Sequence, residues 1–255
     1  MKKNTRTQKS KKIIIFTVEL FAIFLLFVSV WLFDRYVCDS EEVPALTIRF
    51  FDSGDTCTAL ILCNGKVAVI GDPHSVSDDL TSSLESRNVG SVDLIVSPKG
   101  DAVKGIEKYA RGDTDVRVLE GGTTKIKFAD GTVDIDLFHS EKGSFYGILE
   151  HANQTFLLGL CVSDAREYLS LIGEDTVFTL LSALEINDSD IEAVKKAPSV
   201  GHCVICDKKD RSAGDSVATD LWGSGVKYIR TKDGNVSVLS DGRDIYLLPD
   251  ISCVE

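Results

Sequence analysis

Histidine is scarce in this chain of 255 residues. There are four, His74, His139, His151 and His202, and no two stand at the spacing of a metal-ligand pair. Each reads as an ordinary surface or strand residue. The chain has no G-x-S-x-G nucleophile elbow, no P-loop and no G-x-G-x-x-G phosphate cradle, so the common sequence signatures of serine hydrolases and nucleotide-binding enzymes are missing. It has no tandem repeat and no low-complexity segment beyond its basic N-terminus. Positive charge is also short. The whole chain has 28 Lys and Arg against 39 Asp and Glu, a net of −11. Without residues 1–33, 22 basic residues face 38 acidic ones, a net of −16. Phosphate neutralisation supplies most nucleic-acid affinity, so such a surface disfavours DNA or RNA as a partner.

The N-terminus is built differently. Residues 1–12 carry six basic residues and no acidic one, and residues 13–33 carry one charge, Glu19. At about 1.5 Å per residue, such a stretch spans a bilayer core of about 30 Å. Its exit, Trp31-Leu32-Phe33-Asp34-Arg35, has no small-x-small cleavage site, and Arg35-Tyr36-Val37 before Cys38 does not suit a lipoprotein signal. The expectation is an uncleaved anchor with residues 1–12 cytoplasmic, 13–33 in the membrane, 34–44 a linker and 45–255 an extracytoplasmic domain. Glu19, about 9 Å into that helix, costs on the order of 2 kcal/mol. It reads either as a contact with another membrane helix or as a polar residue tolerated near the inner interface.

The seven cysteines are odd in number and scattered, a poor disulfide framework. Cys203-Val204-Ile205-Cys206 has the C-x-x-C spacing but lies in a run that reads as a strand, where residues three apart face opposite sides. Two thiols so placed share no metal, and burial in the core is the simpler role.

Along the body, short apolar runs alternate with turn signals. Strands are expected at 46–51, 59–63, 66–70, 94–96, 116–119, 125–128, 133–138, 147–150, 155–160, 177–181, 199–206, 226–230, 236–239 and 245–248. Asn64-Gly65 is the turn of a two-residue hairpin. Helices are expected at 77–87 (capped by Ser75 or Ser77), 103–110, 163–171, 188–196 and 216–222. The 188–196 run opens with acids and closes with lysines, which suits the helix dipole. Hairpins mixed with strand–helix units predict a layered α/β body of sheets covered by helices.

Ser97-Pro98-Lys99-Gly100-Asp101-Ala102 follows the 94–96 strand. This frame resembles the strand–loop–helix unit in which metallo-β-lactamase-fold hydrolases carry H-x-H-x-D-H. Other segments resemble the same fold, above all the domain attached to ComEC-type DNA-uptake channels. Phe51-Asp52-Ser53-Gly54-Asp55-Thr56-Cys57 is similar to D-V-G-Q-G-D-A, Ile70-Gly71-Asp72-Pro73 to I-D-T-G, and Phe156-Leu157-Leu158-Gly159-Leu160-Cys161 to F-L-L-T-G-D. Tyr228 to Val238 is similar to the closing strands. The resemblance implies an αββα sandwich and an ancestral one- or two-metal centre. It also implies that the ligands are lost. Ser97, Lys99 and Ala102 occupy the three His positions, Asp101 alone survives, and Cys161 stands at the bridging Asp. The later His elements fall on 181–185 and near Gly214.

Together with the expected anchor, the resemblance implies a catalytically inactive, membrane-anchored binding or scaffold module with no cofactor. The alternative is a divergent zinc- or manganese-dependent hydrolase of phosphodiesterase or nuclease type, with a site rebuilt from Asp52, Asp72, His74, Asp101 and Cys161. A third reading is an accessory subunit that meets a membrane-protein partner through its anchor. Within the degenerate site, Lys99 is expected to pair with Asp101 or Asp52 in place of the metal's charge.

Overall fold

The computed structural model describes residues 44–163, 165–182 and 186–249. The expected anchor at 13–33 lies outside the described residues. Among the described residues no helix is long and apolar enough to cross a membrane.

In chain order the elements are β1 (Leu46–Asp52), β2 (Cys57–Cys63), β3 (Lys66–Ile70), α1 (Ser77–Ser86), β4 (Leu94–Ser97), β5 (Asp115–Val118), β6 (Gly122–Phe128), β7 (Val133–His139), β8 (Phe145–His151), β9 (Gln154–Cys161), α2 (Ala165–Leu169), β10 (Thr176–Ser182), α3 (Asp188–Lys196), β11 (His202–Cys206), α4 (Arg211–Leu221), β12 (Lys227–Arg230), β13 (Val236–Ser240) and β14 (Ile245–Pro249). They form two seven-stranded sheets. The first runs β14-β13-β1-β2-β3-β4-β5, the second β12-β11-β10-β9-β8-β7-β6. In the first, β3, β4 and β5 are mutually parallel. In the second, β9 to β12 are parallel. The other pairings are antiparallel. Parallel strands end on one side, so the loops after β3, β4, β9, β10, β11 and β12 gather there.

Three apolar clusters set the layers. Alternate residues of β1 (Leu46, Ile48, Phe50) meet Phe156, Leu158 and Phe178 of the second sheet, with Phe50 and Phe178 stacked at 5.8 Å between ring centroids. The opposite face of the first sheet packs Leu60 and Val69 on Leu80 and Leu84 of α1. The outer face of the second packs Leu157 and Ile205 on Tyr168 of α2, Val194 of α3 and Val217 of α4. The body is thus a helix–sheet–sheet–helix sandwich, the layering expected for its alternating segments.

Local chemistry explains most boundaries. Asn64 and Gly65 take φ of 48° and 72°, the left-handed pair that a two-residue hairpin requires. Asn187 caps α3 through the Ser189 and Asp190 amides while the Asp190 carboxylate receives the Asn187 amide, a full capping box. Three expectations need correction. The 103–110 helix is absent. Its backbone runs in successive turns, because Gly105 sits at φ +88° and an added Cβ would strike Ser77. Neither Ser75 nor Ser77 caps α1, whose N-cap is Val76 without a side-chain bond, and the Ser75 hydroxyl donates to the Asp72 carbonyl instead. The last helix starts earlier than 216, because Asp210 accepts the Ser212 and Ala213 amides and opens α4 at Arg211.

Candidate functional site

A cleft of about 120 Å³ opens at this loop-bearing edge. The first sheet contributes Thr56, Cys57, Gly71, Asp72, Pro98 and Lys99. The second contributes His139, Gly143, Phe145, Leu160 and Cys161. Its walls are therefore strand ends and the turns beside them, and its position follows from the parallel strand order.

Asp72 is held by the end of β3. Its backbone amide donates to the Thr58 hydroxyl at 3.1 Å, and that hydroxyl donates to the Asp72 carbonyl at 3.0 Å. Gly71 before it takes φ +130°, and an added Cβ would lie 2.9 Å from Thr58 Cα. The carboxylate is nearly covered, and Lys99 Nζ, reaching across from the loop after β4, forms an ion pair with it. The lysine side chain is 62% exposed and that of Asp72 11%. Lys99 thus pairs with Asp72, not with Asp101 or Asp52 as expected.

The other expected site residues separate. Ser97 is buried, and its hydroxyl accepts the Lys99 amide at 3.1 Å. Ala102 is buried in the cluster under α1. Asp101, on a loop, and His74, in the short 3-10 helix Pro73–Val76, are exposed and do not line the cleft. Cys161 lines it, with its thiol 3.8 Å from the Gly143 carbonyl. Asp52 is buried and turned away. Its Oδ1 accepts the Gly54 amide at 2.7 Å, and its Oδ2 accepts the Lys208 amide at 3.1 Å and the Thr231 hydroxyl at 2.5 Å. Of the five residues offered for a rebuilt centre, the fold brings only Asp72 and Cys161 to one cavity.

A second ion pair lies on the β11–β12 side of the edge. Arg230 binds Asp207 and Asp215, and its Nη2 donates to the Arg211 carbonyl at 2.8 Å. Asp207 is fully enclosed. Burial raises its pKa, and the guanidinium opposes that rise. Gly214, where a late His element was expected to fall, packs against this pair, and any Cβ there would overlap the Asp207 carboxylate and the guanidinium. The 181–185 element lies partly outside the described residues.

Sequence reasoning passed over His139 as an ordinary strand residue, yet it borders the cleft. Its Nδ1–H donates to the Leu119 carbonyl at 2.5 Å, which leaves Nε2 the lone pair when the ring is neutral. Its position at the end of a long strand was the available signal. Asp207 and Arg230 were also missed, since they meet only through the β11–β12 pairing.

Zinc needs three or four imidazole, thiolate or carboxylate donors around one point. Here the Asp72 carboxylate is paired with an ammonium, Ala102 is apolar and buried, and the Ser97 hydroxyl is bonded to its own loop. Among the described residues no three His, Cys, Asp or Glu side chains are gathered to hold a metal. The residues of this edge do not fit a family metal centre.

No protein-family model matches the chain, and no curated protein does. Among solved structures, it is similar to YhfI from Bacillus subtilis, a metallo-β-lactamase fold protein, with 9% identity, 81% of this chain and all of that one covered, and a TM-score of 0.49. It is also similar to a protein from Thermotoga maritima assigned to the zinc-dependent hydrolases of the metallo-β-lactamase superfamily, with 14% identity, 63% of this chain and 74% of that one covered, and a TM-score of 0.39. Likeness at that level carries no weight for what this chain does.

Proposed function

We propose that this chain is a membrane-anchored, extracytoplasmic member of the metallo-β-lactamase fold, related to the ComEC-type domains, that binds or scaffolds and does not hydrolyse. Supporting the fold are the two seven-stranded sheets between helical layers, with the D-S-G-D and closing-strand landmarks at their ends. The observation that carries the functional reading is the Lys99–Asp72 ion pair in the cleft. An ammonium at a former ligand position repels a cation and supplies positive charge of its own. Fold and chemistry separate in this way because the fold lives in the core and catalysis in a few loop residues.

The deciding experiment is elemental analysis of the full chain, purified in mild detergent without chelator and again after incubation with zinc or manganese. The expected result is no stoichiometric metal and no cleavage of a phosphodiester substrate. A bound metal with chelator-sensitive hydrolysis would sink this reading in favour of the second, a hydrolase with non-standard ligands. The second has in its favour that Asp72, His139 and Cys161 line one cleft. The anchor is tested separately, by resistance of the chain to alkaline extraction from membranes and by protease digestion of residues 45–255 from the outer side only.

A further inference from the structure

Cys57 opens β2 directly opposite Asp52 in the ladder with β1. Cys206 closes β11, in the other sheet. The Asp52 carboxylate accepts the Lys208 amide at 3.1 Å and the Thr231 hydroxyl at 2.5 Å, and that hydroxyl also lies 3.3 Å from the Ile205 carbonyl. These bonds clamp the end of β1 onto the end of β11, with Cys206 between the two attachment points. The consequence is that Cys57 and Cys206 come together in the core between the sheets, where the two thiols interact. Both are buried and neither is in a disulfide. Cys203 faces the cluster on the helix side, so the C-x-x-C spacing does not define the pair. The pair joins residues far apart in the chain, and no motif announces it.

We propose that Cys57 and Cys206 form a disulfide site, oxidised by a small-molecule disulfide that enters through the cleft. Of the two, Cys57 alone borders the cleft, so it is the member of the pair that such a molecule meets first. Its thiolate attacks one sulfur of RSSR, which forms the Cys57–SR mixed disulfide and releases RS⁻. Cys206 then gives up its proton and displaces the second RS⁻ from Cys57, so two protein thiols are oxidised and RSSR is reduced to two RSH. The contact with Cys57, together with burial, raises the Cys206 pKa well above the ordinary thiol value. Its thiolate is therefore scarce at neutral pH, which makes the second step the slow one and oxidation faster as pH rises. The bond ties the two sheets together beneath the cleft floor and constrains the unfolded chain across a long loop.

The test uses the full chain in mild detergent, reduced, freed of reductant and incubated with oxidised glutathione at pH 8. Remaining thiols are alkylated after unfolding, and unreduced peptides are mapped by mass spectrometry. The expected product links the Cys57 peptide to the Cys206 peptide, and the oxidised chain melts about 5–10 °C higher than the reduced one. Cys206→Ala stops the reaction at the first step, leaving glutathione on Cys57, and Cys57→Ala leaves Cys206 unmodified. Recovery of Cys57 and Cys206 both alkylated, or a bond from Cys57 to Cys161 or any other cysteine, overturns the proposal. The wild-type map decides the question even if a variant fails to fold.

Discussion

Two ion pairs stand at the same edge of the sandwich and are built to opposite plans. Lys99 reaches Asp72 from a loop, with most of its stem in solvent. Arg230 lies within a strand, only 12% exposed, and meets the wholly enclosed carboxylate of Asp207. The Lys99 ammonium is rehydrated when it leaves its carboxylate, and the cost falls on Asp72, which keeps only partial access to water. A guanidinium withdrawn from Asp207 strands a buried charge. The edge therefore has a more yielding half, where the cleft lies, and a fixed half around Arg230.

The sharpest way to break this contrast is Arg230→Met. It should cost about 3–5 kcal/mol in denaturant unfolding, because Asp207 is left without its counter-ion, and Asp207→Asn in the same chain should recover much of that loss. A cost below about 1 kcal/mol would erase the distinction between the halves. Next in size is Ala102→His, which places an imidazole where the resemblance expects one. The side chain enters the packed cluster under α1, so the expected result is a loss of about 1–3 kcal/mol with no gain in zinc uptake, read by unfolding and elemental analysis. Lys99→Met should cost about 1–3 kcal/mol, less than Arg230→Met because water still reaches Asp72, and on the proposed reading it should weaken binding of small anions in the cleft by calorimetry.

The smallest effect is a pH slope that belongs to neither half. Burial lowers the pKa of His151 and His202 from the ordinary 6.5, against the Pro44 carbonyl bond at His151 and reinforced by Lys227 at His202. The unfolded chain takes up these protons near 6.5, and the native chain only at lower pH. The stability they supply is therefore complete above 6.5 and is lost as pH falls through the lowered values. Melting temperature should drop between pH 7.5 and 5.5, and His151→Gln combined with His202→Gln should flatten that slope.

Much of the scaffold was legible because its signals are local. Asn64-Gly65 specifies a hairpin by backbone sterics, and the acids and lysines of 188–196 bracket a helix by its dipole. The misjudged 103–110 segment shows the limit of periodicity: Val103, Ile106 and Tyr109 are spaced for a helix face, yet Gly105 packs on Ser77 with a left-handed backbone, a contact that the local pattern does not contain. The edge was legible only as a set of positions. That Asp72, Cys161 and the 97–102 loop belong near one cleft came from resemblance. That Lys99 chooses Asp72, that Asp52 faces β11, and that Cys57 meets Cys206 are consequences of strand order, which brings distant segments together.

The chain enters the body at Pro44, whose carbonyl accepts the Nε2–H of buried His151 at 2.8 Å, and continues at once into β1. That strand is hydrogen-bonded along both flanks, to β2 and to β13, and both partners run antiparallel to it. Tension arriving from the N-terminal side thus loads two ladders in shear, and all their bonds must yield together. Tension applied at Pro249 meets β14, an edge strand bonded on one flank only, which peels one bond at a time. The domain is mechanically asymmetric, stiff when held by the end that carries the proposed anchor and compliant when pulled from the other.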